Sequence, residues 1–387
     1  MAVNFYELDA VKLEVPSKKL VIIFLSFALH ASITGGIFTR LPELQFALNI
    51  SEGIYGLVLF GIPLGVFLGS LTVPSLYQKI SPKLLICIGL IVISFFQIVI
   101  GMSSNLAILS LFLFMFGFGF SFVNVSINVV ATEFQNTNEK AIMSQCHGWW
   151  ALSFLAASLV SALFVNLEFS PLTQFICHAI PISIGTLIIF KSVPSDYIPA
   201  KTKGVQKLTL PNKGVLLVGL WAFAGILMEA TTRGWIVIYT RDLLFAPENI
   251  AVLALPTIVF TQTLGRFISD SLITKFGILK VAQVTSAFLL AGIFLVIITA
   301  SLPIAFLGFL LIGIGISISM PQAFAAASRL KTRTSSENVA AFSTLSTVLG
   351  FMGPPLFGFM AETIGLRVAF MLLIPLTIIS FFQAKRL

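Results

Sequence analysis

The chain has 387 residues, of which 57% are hydrophobic and only 10% charged, whereas a soluble domain carries about 25% charged residues; a water-soluble globular enzyme is therefore excluded. With 12% aromatic residues and 38 Phe, the chain is also too apolar to remain disordered. The net charge of +8 would point to nucleic acid in a soluble protein, but in a membrane protein basic residues mark the loops on the cytoplasmic side.

In chain order, the first 20 residues carry Glu7, Asp9, Glu14, Lys18 and Lys19. The apolar run that follows is too long for a signal core and lacks a small-residue cleavage site. A cytoplasmic tail leading into a retained first helix is expected. Clusters of Pro, Gly, Asn and charge then divide the chain into apolar runs at 20–40, 52–76, 84–102, 105–133, 142–165, 171–191, 213–240, 248–272, 279–300, 302–329, 336–360 and 365–384. A spanning helix needs about 20 apolar residues. Most of these runs are apolar on every side, as membrane helices are. An all-α membrane protein of 12 helices is predicted.

The longest connection, 192–212, holds Pro194, Pro199, Pro211 and three lysines. It reads as an interdomain linker between a six-helix bundle over 1–191 and a second over 213–387. With an even number of spans, 18 of the 23 Lys and Arg fall on the side of the termini, and only Arg40, Arg241 and Arg367 fall at opposite ends. That asymmetry predicts cytoplasmic termini. Cys87, Cys146 and Cys177 sit in apolar runs without metal-ligand spacing and read as packing residues.

The two halves repeat each other. Phe38-Thr39-Arg40 and Tyr239-Thr240-Arg241 close the first and seventh spans, and Gly69 with Lys79 matches Gly265 with Lys275. Gly117-x-Gly119-x-Ser121 matches Gly313-x-Gly315-x-Ser317, and Glu133 matches Arg329. Four matches in one order, at offsets of 196 to 201, argue for two homologous bundles of the same orientation. Paired bundles of this kind are the architecture of many secondary transporters, with the site at the bundle interface near mid-membrane.

Gly265-Arg266-x-x-x-Asp270-x-x-x-x-Lys275-x-Gly277 resembles the signature loop of the major facilitator superfamily, and it sits between the eighth and ninth spans. In the first half Ser70, Pro74 and Ser81 replace the corresponding Arg, Asp and Gly. Three further stretches resemble the branch around fucose permease and the rhizopine-transporter-like proteins. They run from Ile127 through Glu133 to His147-Gly148, from Gly313 through Met320-Pro321 to Ser328, and from Gly353-Pro354-Pro355 to Gly365-Leu366-Arg367. The resemblance implies two six-helix bundles that rock about a central site. It also implies that Gly265, Arg266, Asp270 and Lys275 gate the transition by linking the bundles on the cytoplasmic side.

An ionisable group inside a bilayer is a functional candidate by default. Glu133 closes the fourth span and is a candidate proton site; fucose-permease-like proteins carry a Glu in this helix. They also carry an acid in the first helix, where this chain has His30, a group that titrates near neutral pH. Glu229 and Arg233 stand four apart and share a helix face, so each lowers the cost of burying the other. The pair reads either as a structural ion pair or as one that a substrate or proton breaks. Asn124 and Asn128 share a face of the fourth span, and His147, Trp149 and Trp150 follow in the fifth. Amides and imidazoles hydrogen-bond hydroxyl groups and indoles stack on sugar rings, so these residues, with Gln262 and Gln322, are candidate substrate contacts. His178 reads as packing.

No Gly-x-x-x-x-Gly-Lys-Ser/Thr or His-Glu-x-x-His motif occurs, so neither ATP-driven transport nor zinc-protease chemistry is expected, and no cofactor or metal site is predicted. The leading expectation is a monomeric secondary transporter of a bacterial inner membrane. It takes up a small polar, sugar-like or sugar-derived solute together with protons by alternating access, has no nucleic-acid partner and is not an enzyme. The alternatives are an exporter of an amphipathic or drug-like compound and a non-transporting sensor with the same fold.

Overall fold

The computed structural model describes residues 18–138, 142–192 and 210–387. The first half holds α1 (Lys18–Ala47), α2 (Glu52–Leu76), α3 (Pro82–Gly101), α4 (Leu106–Asn138), α5 (Met143–Asn166) and α6 (Pro171–Ser192). The second holds α7 (Lys213–Asp242), α8 (Glu248–Ala251), α9 (Ala254–Phe276), α10 (Ile278–Ile298), α11 (Leu302–Ile316), α12 (Ser319–Arg329), α13 (Ser335–Ile364), α14 (Leu366–Met371) and α15 (Leu373–Gln383). Among the described residues, 12 helical stretches are long and apolar enough to cross a membrane. The expected linker, 192–212, lies almost wholly outside the described residues.

Local chemistry sets several boundaries. The Asn212 side chain accepts from Val215 N–H at 3.0 Å and caps α7. Thr334 and Glu337 form a reciprocal capping box on α13, which satisfies two otherwise orphaned N–H groups. α1 runs seven residues past the expected end at 40, through Pro42 to Ala47. The charge of Arg40 does not end it, because the guanidinium pairs with Glu43 at 3.0 Å and also donates to the Phe169 carbonyl.

The segment 265–277, expected as a loop, is helical to Phe276. The turn comes only at Gly277, whose φ of 80° is a conformation that glycine adopts without steric cost. The span expected at 302–329 is broken at Ser317–Ile318. Pro321 lies four residues after Ser317 and has no N–H to give to its carbonyl. The same arithmetic holds for Pro256 and Val252, where α8 and α9 separate.

In the first half α1 packs on α5 and α6, and α4 on α2 and α3; in the second, α7 packs on α13 and α15, and α11 on α9 and α10. The repeated sequence matches are packing contacts. A Cβ on Gly117 would stand 2.1 Å from the Ile62 carbonyl oxygen, and one on Gly313 would stand 2.2 Å from that of Ile258. Gly69 lies against Ser121, and Gly265 lies against Ser317. Without hydrophobic driving force between helices in lipid, such close small-residue contacts hold a bundle together. Large apolar side chains such as Ile91, Phe95, Ile180, Ile184 and Phe294 remain on the outer surface, as a lipid-facing wall requires.

The halves meet along α2 and α13, α5 and α9, and α1 and α7. The described hydrogen bonds between them gather at the end where α1 and α7 finish. Gly53 N–H donates to Glu362 Oε2 at 2.8 Å. Arg241 donates to the Pro42 carbonyl at 3.2 Å and to Gln45 Oε1 at 3.1 Å, and Asn249 donates to Asn166 at 3.3 Å. The opposite end carries most of the lysines.

Candidate functional site

A line of polar and aromatic contacts crosses from one half to the other. It starts at His30 on α1, which is fully buried. Trp150 on α5 donates its indole N–H to His30 Nδ1 at 3.3 Å, and the Phe120 ring of α4 lies 4.1 Å from the imidazole. An imidazole that accepts at Nδ1 is the Nε2–H tautomer, so adding a proton at Nδ1 requires the indole to withdraw. His30 Nε2 is buried without a partner among the described residues.

Trp150 also faces the second half. The Arg233 guanidinium of α7 sits 5.9 Å from the Trp150 ring and 5.6 Å from the Phe154 ring, within the range of a cation–π contact. Arg233 is ion-paired one turn back to Glu229. Arg266 of α9 approaches the same carboxylate, with Nη2 3.4 Å from both Glu229 oxygens. Its Nε points to the Ser317 carbonyl at 3.4 Å, the acceptor that Pro321 leaves without its helical donor. Gln262 lies on α9 beside the carboxylate.

Glu229, Arg233 and Arg266 keep side-chain exposures of 15%, 28% and 27%. The group is thus sheltered but reachable by water. Two guanidiniums and one carboxylate stand on the second half, opposite an aromatic wall on the first.

The other candidate residues divide. His147 packs edge-on against Phe27 at 5.6 Å, next to Gly148, which faces Phe267 of α9. Trp149 stacks on Phe24 at 6.2 Å and is half exposed, away from the line through Trp150. Asn128 spends an amide hydrogen on the Asn124 carbonyl at 2.8 Å. Asn124 and Gln322 are partly exposed, and Gln322 lies just past the α11–α12 break. Glu133 is exposed near the end of α4, roughly 20 Å along the helix from Phe120 at 1.5 Å per residue. Of the four residues assigned to a gate, Gly265 and Arg266 face the Ser317 break and the Glu229 carboxylate, while Asp270 and Lys275 are exposed further along α9.

Phe120 and Phe154 join the group without having been singled out by sequence, and Ser317, named only as a repeat match, joins it too. Two signals pointed to them: Phe154 is one helical turn after Trp150, and Ser317 precedes Pro321 by four residues.

Two apposed six-helix bundles with a charged group where they meet are the architecture of a membrane transporter. The profile of the Major Facilitator Superfamily matches residues 23–354, and the chain belongs to that family; it is a multi-pass membrane transporter. It is 24% identical over 355 residues to "Uncharacterized transporter y4wD" of Sinorhizobium fredii, covering 89% of this chain and 91% of that one. It is 20% identical over 257 residues to "Membrane protein MosC" of Rhizobium meliloti, covering 65% and 61%. Among solved structures, the nucleoside transporter NupG, as its D323A mutant, superposes with a TM-score of 0.78 at 14% identity, covering 95% of this chain and 99% of that one. A bacterial homologue of the lysosomal transporter Spinster, in an inward-facing and unoccupied conformation, gives 0.70 at 12% identity, covering 96% and 98%. These last two likenesses establish the fold.

Proposed function

We propose that the chain is a proton-coupled secondary transporter that takes up a small polar, sugar-like or sugar-derived solute. The observation that carries this reading is the Glu229–Arg233–Arg266 group, sheltered yet reachable by water where the two bundles meet. An ionisable cluster in that position is costly to keep unless it acts. A carboxylate between two guanidiniums can exchange partners as solute enters, and differential binding to the two conformations is what drives a cycle.

On this reading the lysine-bearing end faces the cytoplasm, both termini lie there, and residues 192–212 link the two bundles. The hydrogen bonds of Gly53, Arg241 and Asn249 then close the outer side, and the conformation is inward-open. The protein works as a monomer in a bacterial inner membrane. Glu229 is the assigned proton site, because Glu133 lies well along α4 from the aromatic wall. Asn124, Asn128, His147, Gln262 and Gln322 contribute polar contacts to solute.

The test is proton movement into proteoliposomes carrying an internal pH dye, with sugars, polyols, peptidoglycan fragments and organic acids offered in turn. One solute should acidify the lumen in the wild type and in Glu133→Gln, and fail to do so in Glu229→Gln. A signal that survives Glu229→Gln removes the proton assignment. Solute uptake without any pH change removes proton coupling and leaves a uniporter.

A further inference from the structure

We infer that the solute is a small organic acid whose carboxylate enters between Arg233 and Arg266, with a ring or planar body against Trp150 and Phe154. This deepens the transport reading and rests on it for the site's location. Two guanidiniums face one carboxylate at this centre, so among the described residues one positive charge is unmatched. Asp270, one turn further along α9, is exposed, and Glu133 lies toward the far end of α4. His147 also faces the Arg266 charge and supplies no negative charge to offset it. An uncompensated charge withdrawn from water is unfavourable, and an anion relieves it.

Geometry makes the same point. The contacts of Arg266 to Glu229 and to the Ser317 carbonyl are all 3.4 Å, longer than the 2.7–2.9 Å of a formed charge-assisted bond. Arg266 is therefore loosely held and has donors to give. Arginine presents them as a planar fork that suits a carboxylate. Glu229 already stands where a solute carboxylate would go, so the chain holds an internal competitor for its own ligand. On the facing half, Trp150 and Phe154 already flank the Arg233 guanidinium. A ring attached to the carboxylate would touch both bundles at once, as a solute that couples their motion must.

The experiment measures ligand-induced shifts in unfolding temperature of the purified full chain, and converts titrations to Kd. Two matched trios serve as probes: glucuronate, glucose and glucosamine; and indole-3-acetate, indole-3-acetamide and tryptamine. At least one acid should bind about tenfold tighter than both of its partners. Arg266→Gln should weaken that acid by about tenfold, Arg266→Lys by less, and Glu229→Gln should tighten it by removing the competitor. A neutral or amine member that binds as well as its acid overturns the inference. So does silence of both acids in protein that unfolds cooperatively, or a loss in Glu229→Gln as large as that in Arg266→Gln. Acid binding without counterflow in proteoliposomes would keep the charge assignment and sink the transport reading; counterflow of glucose with no preference for acids would do the reverse.

Discussion

The two halves of the chain share a skeleton and differ in chemistry. Gly117 against Ile62 and Gly69 against Ser121 in the first half reappear as Gly313 against Ile258 and Gly265 against Ser317 in the second. The charged residues of the centre do not reappear. At the offset that aligns Arg40 with Arg241, Glu229 and Arg233 correspond to Ala28 and Ser32; at the offset that aligns Gly69 with Gly265, Arg266 corresponds to Ser70 and Pro321 to Val125. α4 accordingly runs unbroken from Leu106 to Asn138, while its counterpart is split into α11 and α12. The backbone break and the charge lie together, because the carbonyl freed by Pro321 is within reach of Arg266. Packing is symmetric, whereas the charged group stands on one side, facing aromatic rings on the other.

The largest effects should fall on the shared skeleton. Gly117→Val and Gly313→Val each force two backbones apart, since even a Cβ would stand 2.1 and 2.2 Å from a carbonyl oxygen. Overpacking costs about 1–3 kcal/mol where side chains can shift, and here the obstacle is backbone. Both variants should lose several degrees in Tm or fail to fold, to a similar extent. A large loss in one half with tolerance in the other would break the equivalence.

Next come exchanges that give one half the residue of the other. Arg266→Ser should cut uptake by about tenfold or more while leaving the protein folded, because it removes one of two guanidiniums from a centre that water still reaches. Ser70→Arg, its mirror, should leave uptake within about twofold, since among the described residues the Ser70 hydroxyl bonds only the Phe67 carbonyl of its own helix. Initial rates in the same proteoliposomes compare them. Pro321→Ala sharpens the contrast further. It returns an N–H to the Ser317 carbonyl, and alanine favours a helix interior over proline by about 3 kcal/mol. Tm should rise and uptake should fall several-fold, as Arg266 loses its carbonyl partner. A rise in Tm with unchanged uptake would detach the helix break from function.

Most of the fold was legible because each span announces itself by composition. Spans placed from Pro, Gly and charge alone agree with the helices to within a few residues at most ends. The exceptions are instructive. α1 passes Arg40 because Glu43 and the Phe169 carbonyl satisfy the guanidinium, and the second of these partners is 129 residues away, which no local pattern reveals. The segment after Gly265 resembled a loop by motif, yet it holds no strong helix breaker before Gly277. The Glu229–Arg233 pair was legible from its spacing, since i and i+4 share a face. That Arg266 turns toward the same carboxylate depends on the packing of α9 against α7, and that Trp150, not its neighbour Trp149, faces the site depends on the rotation of α5. Both are tertiary facts that a linear pattern does not encode.

The smallest effect separates those two tryptophans. Trp150→Phe keeps a ring beside Arg233 but removes the indole donor to His30 Nδ1, leaving a buried acceptor unpaired. A buried acceptor left unpaired costs about 1–3 kcal/mol, so Tm should fall by a few degrees and uptake by a few-fold. Trp149→Phe keeps a ring for stacking on Phe24 and removes no hydrogen bond to the centre, so both readouts should stay near wild type. The two substitutions change the same atoms on adjacent residues, and therefore bulk, lipid contact and expression are nearly matched. If Trp149→Phe were the more damaging, the line of contacts from His30 through Trp150 to Arg233 would matter less to the protein than the stack of Trp149 on Phe24. If Trp150→Phe were the more damaging only in uptake, with Tm unchanged, the indole would act on the solute itself and the His30 bond would be incidental to stability.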